Sequence, residues 1–141
     1  MPTWLKILLI SLGVFTVLVV AVVSGGYWWW QQNRDAVMAE ARSAGAEGTR
    51  FAVGKNQQDC VDEAVTRVKG AGVITGLKAE VFLVACLGAA QPVAAFCDGV
   101  PKPEELLKSI SWNAQQTLDY RLSSSEGPFV VKPIQHFCAS K

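Results

Sequence analysis

The sequence predicts an all-α protein, with one amino-terminal transmembrane helix followed by a small disulfide-stapled domain of about four helices. Three observations predict it. From Ile7 to Gly26 the chain runs for twenty residues without a charge, and as a helix that run matches the roughly 30 Å hydrocarbon core of a bilayer. All four cysteines, Cys60, Cys86, Cys97 and Cys138, lie beyond that run. In the same hydrophilic part, apolar residues recur at helical spacing and are punctuated by glycine and proline.

The apolar run has two competing explanations. A buried core helix that is apolar on every face needs a larger protein around it than 141 residues provide. A cleaved secretory signal has Ser24, Gly25 and Gly26 as small residues for its cleavage site and Lys6 as its charged flank, but the run exceeds the roughly 7 to 15 residues of a signal core. A retained anchor over residues 1–30 is therefore expected. Tyr27, Trp28, Trp29 and Trp30 turn by about 100° from one to the next on a helix, so no one-sided core or groove buries them all. A headgroup layer surrounds a helix on every side, and Trp4 supplies an aromatic for the opposite interface. Ala21 and Gly25 form a small-x-x-x-small pair, a candidate contact for another membrane helix.

Residues 31–50 read as a partly helical stalk that frays at Gly45 and Gly48. Its arginines, Arg34, Arg42 and Arg50, favour a cytoplasmic location for the carboxyl-terminal part of the chain. The cysteines oppose this, because an even number in a small domain reads as two disulfides and an oxidising compartment. Siding with the cysteines gives a single-pass protein of the inner (cytoplasmic) membrane with residues 51–141 in the periplasm or extracellular space.

Within residues 51–141 the first helix starts at a cap on Asn56 and stops at Gly70. It turns Cys60, Val61, Ala64, Val65 and Val68 to the core and pairs Glu63 with Arg67 at i and i+4. The next, from about Thr75 to Ala90, becomes apolar all round and reads as a central helix buried by its neighbours. A short helical piece at Pro92 then folds back, laying Cys97 against Cys86. Pro103, Glu104 and Glu105 open the longest soluble helix, with a stripe of Leu106, Leu107, Ile110, Ala114, Thr117 and Leu118. After the "SSSEGP" loop, the terminal segment is expected to be helical. Four cysteines allow three connectivities, and the preferred one joins Cys86 to Cys97 and Cys60 to Cys138.

The sequence contains no catalytic set. His136, the only histidine, lies near the carboxyl end, where fraying makes a poor base. The cysteines lack the paired spacing of a zinc knuckle or an exchange enzyme, and Gly70, Gly72 and Gly76 do not open a helix in the nucleotide-binding pattern. No metal or cofactor is expected. With 13 basic and 12 acidic side chains there is no electrostatic footprint for nucleic acid.

The expected function is non-enzymatic. The expected partners are the lipid bilayer and a membrane or envelope protein, the chain acting as an accessory or recognition subunit. Trp112, about 200° from Ile110 on its helix and flanked by Gln116 and Tyr120, is the candidate anchor for that partner. Two alternatives are a carrier holding a small apolar ligand between helices 81–90 and 103–120, and an inhibitor of an enzyme or toxin in the same compartment.

Overall fold

The structure, a computed structural model, describes residues 2–141. Among them are five α-helices and no strand: α1 Thr3–Phe51, α2 Gln57–Val68, α3 Val73–Ala89, α4 Leu106–Asp119 and α5 Pro128–Ala139. Contacts divide the chain into two units, Met1–Ala39 and Glu40–Lys141.

The first unit is the amino-terminal part of α1. It holds an apolar stretch long enough to cross a bilayer, with none of its side chains buried. Trp4 and the Tyr27–Trp30 cluster all stand exposed on this helix, and Gln31 donates a 2.7 Å hydrogen bond to the Tyr27 hydroxyl.

The second unit begins earlier than expected. Far from fraying at Gly45 and Gly48, α1 runs helical to Phe51 and packs against α3. A Cβ at Gly48 would collide with the Phe82 carbonyl oxygen and crowd the Ala85 side chain. Glycine costs this helix about 1 kcal/mol in propensity; the close backbone approach it permits outweighs that cost. Two ion pairs flank the contact, Glu40 with Lys78 at 3.0 Å and Glu47 with Arg67 at 2.8 Å. Arg67 also holds Glu63 at 2.8 Å and lies 3.9 Å above the Phe82 ring. Its guanidinium, as a hydrogen-bond donor, keeps the Glu47 carboxyl below its ordinary range.

α2 starts at the predicted cap. Asn56 Oδ1 accepts from the Asp59 N–H, and Asp59 Oδ2 accepts from the Asn56 N–H, which satisfies two free donors of the first turn. Its apolar face packs on α3, and α5 covers a neighbouring face of α3. There the Phe129 ring occupies the space a side chain at Gly76 would need. The resulting core gathers Val61, Ala64, Val68, Phe82, Leu83, Leu87, Val130 and Ile134.

Residues 92–105 form turns in place of the expected short helix, and α4 starts at Leu106. The terminal segment is helical as expected, with Pro128 in its first turn and Pro133 inside it. Gly48→Ala is expected to force α1 off α3 and cost about 1–3 kcal/mol, as overpacking does. The thermal unfolding midpoint of the full chain in detergent, lower than for the parent protein, checks it.

Candidate partner-binding site

The cysteines pair as Cys60–Cys86, with sulfurs 2.01 Å apart, and Cys97–Cys138, at 2.02 Å. The expected pairing of Cys86 with Cys97 and Cys60 with Cys138 is therefore corrected. That pairing needs a helix that folds back on α3 after Pro92, whereas this segment forms turns and its start is tied to Lys55 and Gln57, by Gln91 N–H donating to the Lys55 carbonyl and Val93 N–H to Gln57 Oε1. Cys86 points instead into the α2 contact, where it and Cys60 are both fully buried. Cys97 is reached by the last turn of α5, where the Phe96 and Phe137 rings meet edge to face with centroids 6.0 Å apart. All four thiols are thus committed, and among the described residues no three His, Cys, Asp or Glu side chains converge as metal ligands.

α4 is oriented differently from the expectation. Its apolar stripe faces outward, with Leu107, Ile110 and Leu118 82%, 58% and 69% exposed. Trp112, Gln116 and Tyr120 are half-buried, and Trp112 and Tyr120 pack against the core. The helix is turned about its axis by roughly a third of a revolution.

Polar groups hold it there. Ser109 is buried, and its hydroxyl donates to the Lys102 carbonyl at 3.0 Å. From α5 the buried Gln135 amide donates to Ser109 Oγ at 2.7 Å and to the Pro101 carbonyl at 2.9 Å. Thr117 closes the far end, its side chain lying where a Cβ on Gly127 would stand. Burial pushes the Tyr120 phenol up. The docked face of α4 is thus largely polar, with Ser109 and Thr117 hydrogen-bonded, and Trp112 supplies its apolar area.

What remains outside is the apolar side. Ala114 and Leu118 form one wall of an open groove of about 420 Å³, and Leu122, Pro128, Val131 and Lys132 form the other. Asn113 also lines this groove, and its Oδ1 is buried with no hydrogen-bond donor. The sequence signal was the Leu106–Leu118 stripe itself, which marks an apolar surface without saying what covers it.

Of the other candidate residues, Ala21 and Gly25 lie exposed on α1, with no side chain near Gly25. The apolar groove lies between α4 and α5, not between residues 81–90 and 103–120, where the carrier alternative expects a cavity. Compared with protein-family models, curated proteins and solved structures, the chain matches none.

Two outcomes are expected. Peptide mapping of the unreduced protein should recover Cys60 joined to Cys86 and Cys97 to Cys138, and each bridge removed should cost about 2–4 kcal/mol. Trp112→Ala should lower the unfolding midpoint by the equivalent of about 2 kcal/mol, the scale of a partly buried aromatic lost from a core. A surface tryptophan would leave the midpoint unchanged.

Proposed function

We propose that this chain is a non-enzymatic, single-pass membrane protein whose helical domain captures an apolar helix of a membrane or envelope protein on the outer face of α4. The observation that carries this reading is the outward stripe of Leu107, Ile110, Ala114 and Leu118 beside the α4–α5 groove. Four apolar side chains at spacings of three and four, next to an apolar trough, suit a helix laid into a groove.

The membrane part of the proposal rests on the exposed apolar stretch of α1 and the aromatics that bracket it. Two disulfides support an oxidising compartment for the domain, a periplasm or the extracellular side. A second reading, a small apolar-ligand carrier, is favoured by the groove alone. Native mass spectrometry of the detergent-solubilised protein separates the two, since a carrier retains ligand and a helix receptor does not.

Crosslinking in native membranes, followed by detergent extraction, tests partner capture. Leu107→Asp and Ile110→Asp should each cut the yield of the crosslinked partner at least tenfold, the scale of a central apolar anchor worth about 1.4 kcal/mol or more. Both positions are exposed, so the unfolding midpoint should stay within about 0.5 kcal/mol of the parent. Undiminished capture would remove the α4 face as the site.

A further inference from the structure

The two disulfides staple different parts of the helical unit. Cys60–Cys86 joins α2 to α3, both its residues are fully buried, and Val61, Ala64, Val68, Phe82, Leu83 and Leu87 pack around it. Cys97–Cys138 closes a separate loop that encloses the whole of α4 and α5 as far as its last turn, and both its residues are partly exposed. α4 depends on this second bridge. It packs on α5, and Gln135 fixes the contact by donating to the Pro101 carbonyl ahead of α4 and to Ser109 Oγ within it. Gln135 lies one turn before Cys138, and Pro101 follows Cys97 closely, so the bridge keeps together the two segments that Gln135 joins. α5 ends at Ala139, which places Cys138 in a last turn, where helices fray unless held. Beside the bridge, Phe96 and Phe137 make one edge-to-face contact, and both are partly exposed.

We propose that Cys97–Cys138 is a redox-operated clasp: a protein dithiol opens it while Cys60–Cys86 stays closed, and opening releases α4 from α5. One thiolate of the dithiol attacks a sulfur of the bridge, the S–S bond breaks, and the other cysteine leaves as a thiolate that takes up a proton. The second thiol of the dithiol then attacks the mixed disulfide, frees the remaining cysteine as a thiol and leaves the reductant as a disulfide. Two electrons and two protons have passed to Cys97 and Cys138. Exchange of this kind needs access to the sulfurs, which the fully buried Cys60–Cys86 pair denies and the partly exposed pair offers. With the clasp open, the loop between Cys97 and Cys138 is no longer closed covalently. α4 is then held by the two Gln135 bonds and by the half-buried Trp112 and Tyr120. Local opening of such a lightly held element leaves a well-packed core intact. Because α4 carries the apolar stripe, the clasp also controls partner capture, and that consequence alone rests on the function proposed above.

Titration of the detergent-solubilised full chain with dithiothreitol tests it, with freed thiols alkylated and mapped by mass spectrometry and amide exchange followed along each helix. Cys97 and Cys138 should be alkylated about tenfold or more faster than Cys60 and Cys86. When only the clasp is open, the amides of α4 should exchange about tenfold or more faster than in the oxidised protein, while α2 and α3 keep their protection. A Cys97→Ser/Cys138→Ser variant should show the same pattern without reductant. Reduction of both bridges together, earlier reduction of Cys60–Cys86, or unchanged exchange of α4 in the clasp-open protein would overturn the proposal. Loss of protection in α2 and α3 alongside α4 would overturn it as well, since the bridge would then support the whole unit. Crosslinking in native membranes reads the consequence separately, and the double variant should lose partner yield about fivefold or more. Undiminished capture by a variant whose α4 is released refutes control of capture by the clasp. A parent protein that captures no partner refutes the function proposed for α4, and amide exchange still decides the clasp.

Discussion

Where α2 crosses α3, Cys60, Val61, Ala64 and Val68 lie with Phe82, Leu83, Cys86 and Leu87 in one solvent-free cluster, and the Cys60–Cys86 bridge makes the contact covalent. The rest of the second unit is built on that pair. α5 sets the Phe129 ring over Gly76 of α3, and α1 brings Gly48 against Phe82. Arg67 links the layers by pairing with Glu47 and Glu63 while covering the Phe82 ring. α4 stands one step further out, docked mainly through α5 and the buried Ser109–Gln135 hydrogen bond.

This hierarchy accounts for where apolar surface is left uncovered. A domain of about a hundred residues has limited means to cover its own helices, and α3 and α4 each carry more apolar surface than their neighbours reach. On α4 the inward face is chosen by shape and hydrogen bonding, with Trp112 filling space and Ser109 and Thr117 fitting close contacts, so the leucines are turned outward. On α3 the packing of α1, α2 and α5 leaves Ile74, Leu77 and Val84 exposed, while Val81 lies against Gly45 of α1.

Features set by neighbours in the sequence were legible in it. The capping pair Asn56–Asp59, the Glu63–Arg67 pair and the inward face of α2 all depend on residues three or four apart. The long apolar helix and the all-helical composition were equally plain. Features decided by tertiary geometry were not. Gly45 and Gly48 read as helix breakers because their propensity cost is local, whereas the contact they permit is with a helix some thirty-five residues on. The spacing of the stripe on α4 marks an apolar surface, and whether that surface is buried depends on how α5 and the Ser109–Gln135 bond turn the helix. The disulfide pairing required knowing where residues 92–105 lead, and no periodicity encodes that path.

The pairing has a bearing on how the chain matures. First cysteine joins second and third joins fourth, so neither loop encloses a cysteine belonging to the other. In a chain whose residues beyond the anchor enter an oxidising compartment in sequence order, Cys60 and Cys86 are exposed before Cys97 emerges, and the earliest available partner is also the right one. Order of arrival alone then selects one of the three connectivities, and the α2–α3 pair is locked before α4 and α5 have emerged. Maturation on this route calls for an oxidant and no reshuffling of mispaired thiols.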